Sequence, residues 1–124
     1  MMLRRTLLLF GFPAEESAAL VAACREAGFA ALPVPEEKWG LTLSGILSGA
    51  AAPETSPESL SEPLIVFHGL EDSALDAALA LLRSRGIRAL KAVTTPTNLR
   101  WTPAALQRQL SAERKVIRKG KKKH

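Results

Sequence analysis

The sequence predicts an α+β fold in which tandem duplicated β-α-β-α units form a four-stranded, ferredoxin-like sheet with helices on one face. Three observations carry this. Two short apolar runs, 6–12 (Thr-Leu-Leu-Leu-Phe-Gly-Phe) and 64–69 (Leu-Ile-Val-Phe-His-Gly), contain almost no polar residue and read as buried strands. Each run is followed by a helical pattern that stops at a second glycine, so that Gly11 and Gly28, and Gly69 and Gly86, are both seventeen apart. At a constant offset of 58, residues 7–32 align with 65–90 without a gap, with Gly11/Gly69, Ala19/Ala77, Arg25/Arg83, Gly28/Gly86, Ala31/Ala89 and Leu32/Leu90 identical.

The elements follow in order. Pro13 and the acids Glu15 and Glu16 suit a helix's first turn, Leu20, Val21 and Cys24 form its inward stripe, and Gly28 closes it. Residues 29–34 form a second strand. Pro33 and Pro35 cannot donate ladder hydrogen bonds, so this strand belongs at a sheet edge. Thr42 caps a short helix, with Leu41 and Ile46 in the positions of a hydrophobic staple. Residues 50–62 have the Pro/Ser/Glu composition of a mobile linker.

In the second unit, residues 72–85 form a helix with Leu75, Leu79 and Leu82 inward, and residues 88–93 form a strand. A two-residue insertion after Leu90 then brings Thr102 onto the Thr42 cap, with Pro103 at the first helical position and Trp101 stapled to Leu106. The apolar first and third strands belong in the centre. An order β4-β1-β3-β2 satisfies this, with both long helices on one face; the alternative order is β2-β1-β3-β4. One domain over 1–118 results, with repeats at 1–49 and 63–118, the linker at 50–62 and a disordered basic tail at 119–124.

At 124 residues the chain is long enough for a core without metal or disulfide support. A single cysteine, Cys24, fits a reducing cytoplasm and rules out an internal disulfide. Residues 1–24 imitate a signal peptide, but Glu15 and Glu16 would fall in the segment that must enter the membrane, and residues 7–12 are too short to span one. The net charge of +5 is unevenly spread. Residues 108–124 hold eight bases and one acid, while residues 1–107 hold nine bases and eleven acids.

Residues 63–113 resemble a small bacterial and archaeal family catalogued only as a domain of unknown function. The features that carry the resemblance are Val66-Phe67-His68-Gly69 and a V-x-T-P-T-N-x-x-W turn, here Val93, Thr95-Pro96-Thr97-Asn98 and Trp101, with Leu106, Leu110 and Glu113 after it. The resemblance implies a prokaryotic intracellular protein and brings no activity.

Loops at the carboxyl ends of strands are common binding positions. His68, Thr95, Thr97, Asn98, Arg100 and Trp101 are therefore candidates for contacting a small anionic ligand or a protein partner, with the helix start at Thr102 adding positive potential. Each also has an architectural reading: Pro96 and Asn98 are turn formers, and Trp101 is a staple. Only the second unit has this polar set, since Phe10 stands in the place of His68 and Pro35-Glu36-Glu37-Lys38 replaces the Thr-rich run.

No P-loop, dinucleotide-binding, zinc-protease or nucleophile-elbow pattern occurs, and no cofactor or metal is expected. Glu15-Glu16 and Glu36-Glu37 are adjacent pairs whose side chains diverge, and Cys24 lies on an apolar stripe. The resulting expectation is a non-enzymatic binding module, outside the membrane. The alternative is an RNA- or ribosome-associated accessory protein that uses Arg118, Lys119, Lys121, Lys122 and Lys123, together with an exposed sheet face. No aromatic residue follows Trp101 to stack on bases.

Overall fold

The computed structural model describes residues 5–122 apart from Thr55, with side chains described as far as Glu113. All five side chains of β1 (Thr6–Phe10) are buried, and so are the first four of β3 (Leu64–His68). Strands buried on both faces need cover on both sides, and the helices supply it in two pairs. On one face Leu7, Leu9, Ile65 and Phe67 pack against α1 (Ala14–Glu26) and α3 (Asp72–Ser84). On the other, Leu8, Phe10, Leu64 and Val66 pack against α2 (Leu43–Leu47) and α4 (Pro103–Lys122), with Trp39 and Trp101 beside them. The two long helices α1 and α3 share a face as expected. The opposite face is not left open, so it offers no sheet surface to RNA.

The strand order is β2-β1-β3-β4, where β2 is Ala30–Pro33 and β4 is Leu90–Val93. The alternative order is thus the real one, and the ferredoxin-like order β4-β1-β3-β2 is corrected. Both orders place β1 and β3 centrally and β2 and β4 at the edges, so apolar patterning cannot choose between them. The joint after α1 makes the choice: Phe29 N–H donates to the Cys24 carbonyl and Ala30 N–H to the Arg5 carbonyl, which starts β2 directly beside β1. In the second unit, Ile87 N–H donates to Leu82 and Leu90 N–H to Pro63. Each unit is therefore a parallel pair joined through its own helix, and β1 and β3 meet antiparallel.

The central register is symmetrical. Leu8 lies opposite Val66, with Thr6 opposite His68 and Phe10 opposite Leu64. At an offset of 58 the counterpart of Leu8 is Val66 itself, so the two units exchange about that point. The outer registers place the inserted residues. Thr6 pairs with Ala30, whereas Leu64 pairs with Leu90. The two extra residues are therefore Arg88 and Ala89, before β4 rather than after Leu90.

Three further expectations change in detail. The buried line of α3 is Ala74, Ala78 and Leu82, with Leu75 and Leu79 half-buried at its flank. Small residues at the centre let the helix sit low on the sheet, so the larger leucines wedge sideways. Residues 50–62, Thr55 aside, lack regular structure but include docked positions. Gln107, 6% exposed, accepts from Ser61 N–H at 2.8 Å and donates to the Glu62 carbonyl at 2.8 Å. Arg108 pairs with Glu58, and Leu60 packs into the second core cluster. Lastly, α4 continues to Lys122, past the end near Arg118 that the sequence predicts. Lysine is among the ordinary helix formers, and the helical backbone runs through Gly120.

The caps are as the sequence implies. Thr42 Oγ1 accepts from Gly45 N–H at 3.1 Å, and Thr102 Oγ1 accepts from Ala105 N–H at 3.3 Å. Gly28 and Gly86, at φ +89° and +67°, end α1 and α3 in the left-handed conformation that glycine adopts without a Cβ clash.

Cys24 is fully buried beneath α1. Burial pushes its thiol up from the usual range, and the positive charge of Arg85 offsets part of that. The folded chain therefore holds this proton more tightly than the unfolded chain does. The resulting stability is complete below the ordinary thiol pKa and is lost as pH rises through the raised one. Denaturation midpoints of the wild type should fall above about pH 8.5, and those of Cys24→Ala should fall less. Thiol-reactive dye should label Cys24 only on unfolding.

Candidate functional site

The structure brings His68 and the turn after β4 together, but it consumes most of their polar groups in doing so. His68 Nδ1 lies 2.8 Å from Thr94 Oγ1, a bond between the ends of the two parallel strands of the second unit. Asn98 is 7% exposed and fully occupied. Its Oδ1 accepts from Thr95 N–H at 2.7 Å, its Nδ2 donates to the Val93 carbonyl at 3.0 Å, and its N–H donates to Thr95 Oγ1 at 3.0 Å. This reciprocal pairing folds residues 95–98 back onto β4 and launches the 3-10 turn Asn98–Arg100. The Trp101 carbonyl then accepts from Leu43 N–H at 2.9 Å, tying the turn to the start of α2. Of the six candidates, Thr95, Thr97 and Arg100 are exposed, while His68 and Trp101 are half-buried. A groove of about 310 Å³ beside the turn is lined by Val93, Thr95, Asn98, Trp101, Leu106 and Leu110. It does not include His68.

The basic candidates occupy the end of α4. Arg118, Lys119, Lys121 and Lys122 lie on its helical backbone, and Lys123 lies outside the described residues.

A roomier site stands at the matching corner of the first unit. At the carboxyl ends of β1 and β2, a cleft of about 780 Å³ opens between the start of α1 and residues 33–39. Its walls are Leu9, Phe12, Pro33, Val34, Pro35 and Trp39, with Pro13, Ala14, Ser17 and Ala18 along the helix and Glu36 also lining it. Gly11 turns the chain out of β1 at φ +78° and forms part of the floor. Trp39 is held in place by donating its indole N–H to the Val34 carbonyl at 3.0 Å.

Polar groups stand beside this space. Pro13 precedes α1 and supplies no side-chain cap, and the first backbone bond there runs from Ser17 N–H to the Pro13 carbonyl at 2.9 Å. The N–H groups of Ala14, Glu15 and Glu16 thus stand at an uncapped helix start. Ser17 is 8% exposed and lines the cleft. Glu36 is the acidic residue of the lining. In the second unit the counterpart of Ser17 is Leu75, so the hydroxyl has no equivalent there.

Sequence reasoning missed this corner because it weighed polar composition. The first-unit loop, rich in proline and glutamate, looks like spacer, and nothing in the local pattern reveals that Phe12, Pro33 and Trp39 enclose a space. The one available signal was Ser17, a polar residue on the inward line of Leu20 and Cys24.

Among the described residues there is no cluster of three or more side chains suited to a metal, and no helix is long and apolar enough to cross a membrane. No curated protein and no solved structure matches the chain. Residues 63–117 match the family described as Domain of unknown function (DUF3783), so the second β-α-β-α unit is the part of the chain that is similar to an uncharacterised domain family.

Proposed function

We propose that this chain is a non-catalytic α/β module that binds a small ligand in the cleft at the ends of β1 and β2, rather than on the Thr95–Trp101 turn. The observation that supports this is the cleft's make-up: mostly apolar walls at the corner of a parallel strand pair, with Ser17 and Glu36 among the lining residues. The turn has the opposite character, since the amide and backbone groups of Asn98 are already bonded within the fold. A cytoplasmic setting is in keeping with the single buried thiol of Cys24. The paired caps, the paired glycines and the symmetrical β1/β3 register favour an origin by duplication of a half-size unit. The RNA alternative rests on charge in the sequence alone.

A thermal-shift screen of small metabolites against the full chain tests the reading. At a hundred times its Kd a ligand adds about 2.7 kcal/mol of stability, which reads as a rise of several degrees. Ala18→Trp should abolish that rise by filling the cleft from an exposed position on α1, while Thr97→Ala and Arg100→Ala should leave it intact. A shift lost in Thr97→Ala or Arg100→Ala and kept in Ala18→Trp would return the site to the turn.

A further inference from the structure

We propose that β4 is a docking edge for a partner protein, which adds an extended segment of alternating apolar and acidic residues to it as a fifth strand. The surface is separate from the cleft and does not rest on that reading.

The edge is open, and its main-chain groups can be placed. β4 ends the sheet, and its inner side is spent on β3, where Leu90 N–H donates to the Pro63 carbonyl and Thr94 N–H to that of Phe67. Strand alternation then turns the N–H and carbonyl of Lys91, and the N–H of Val93, outward. Asn98 Nδ2 donates to the Val93 carbonyl at 3.0 Å, so pairing along this edge stops at that residue. The opposite edge is poorer, because Pro33 of β2 has no N–H to offer.

A strand laid against β4 sends alternate side chains to opposite faces, and each face has a groove to receive them. On the α3 face, Phe67, Leu75 and Leu79 line one of about 220 Å³. On the α4 face, Trp101, Leu106 and Leu110 line one of about 310 Å³. Both grooves meet β4 at Ala92 and Val93. Val93 is 46% exposed, an apolar side chain standing where the added strand would cover it. Main-chain bonding along an edge, with pockets for alternate side chains, is how sheets take up peptides.

Charge names the occupant. Lys91 borders the α3-side groove and shares a neighbouring hollow with Arg83, and Arg88 is exposed just before the strand. Among the described residues, no acid pairs with these three cations or lines either space. A second copy would bring like charges to the joint, which opposes self-pairing. Acidic residues in the added strand answer them instead. Phosphates of a nucleic acid would meet the cations but leave the strand-spaced main-chain groups and both apolar grooves unused.

Fluorescence anisotropy on the full chain tests this with a labelled, capped heptapeptide, Val-Glu-Val-Leu-Val-Glu-Val, which reads the same in either direction. It should bind at least tenfold more tightly than versions with Gln or Lys in place of both Glu, and more weakly as salt rises. Lys91→Glu should exchange the preference in favour of the Lys version, which a general loss of structure would not do. Val93→Pro removes an outward N–H and none of the bonds to β3, so it should abolish binding while the melting temperature holds. Should that variant melt early, the Lys91→Glu exchange still decides. No binding of the Glu peptide at about 1 mM, or equal binding of all three peptides, would overturn the proposal. A dimer that Val93→Pro splits would overturn it in favour of a second copy. RNA retention lost in Lys91→Glu, without peptide binding, would overturn it in favour of a nucleic acid.

Discussion

Asn98→Ala should lower the stability of this protein by about 2–4 kcal/mol, because it removes the partner of two backbone groups together. The asparagine amide accepts from Thr95 N–H and donates to the Val93 carbonyl, and alanine does neither. The amide itself is only 7% exposed, so the bonds it makes are largely shielded from solvent in the wild type. Asn98→Asp separates the two contributions. Its carboxylate still accepts from Thr95 but directs an oxygen at the Val93 carbonyl, so it should be destabilised at neutral pH and recover part of the loss in acid as the carboxyl protonates. The control is Thr97→Ala, an exposed neighbour that should move the urea midpoint little, within about 0.5 kcal/mol. Equal midpoints for wild type and Asn98→Ala would mean that the turn does not depend on this amide.

Phe10→Ala should cost more, about 3–5 kcal/mol. Phe10 has no exposed surface and sits in the core cluster between the sheet and the α2/α4 layer. Removing the ring leaves a void under rigid β1 that the neighbouring Leu64 and Leu43 cannot fill by small shifts. Against a typical total of about 5–15 kcal/mol, such a loss leaves the chain marginal at 37 °C. Urea denaturation followed by tryptophan fluorescence measures it, with Trp39 and Trp101 reporting from the same cluster. Phe10→Leu should retain most of the stability. A loss below 1 kcal/mol in Phe10→Ala would show that the second layer is not packed on β1.

Much of this fold was legible in the sequence, for identifiable reasons. The continuous apolar runs at β1 and β3 mark buried central strands, Pro33 marks an edge, and Thr42 and Thr102 announce helix starts three residues ahead of the N–H groups they cap. These are local signals, set within a few residues. The strand order was not local. It turns on which carbonyl the Ala30 N–H finds after a three-residue joint, and both answers leave the same residues buried. The second helical layer was readable in principle, since Leu8 and Val66 point away from Leu7 and Phe67 and are equally apolar.

The candidate site shows the same division. The proximity of His68 to the turn was foreseen, and Thr94 makes the bond. That Asn98 spends its amide inward was one of two readings the residues allowed, and only geometry separates them. Clefts are harder still. Phe12, Pro33 and Trp39 are spread across three segments, and each is ordinary in its own.

The antiparallel meeting of β1 and β3 has a consequence for what counts as a whole molecule here. Stripped of its partner, either unit would bare one long side of its innermost strand, a row of main-chain donors and acceptors flanked by leucine, isoleucine, valine and phenylalanine. Such an edge is an invitation to self-association. The smallest self-sufficient object is therefore the couple. A chain endowed with a single copy would have to borrow its missing half from a twin, laid head to tail across the place where Leu8 and Val66 now face each other.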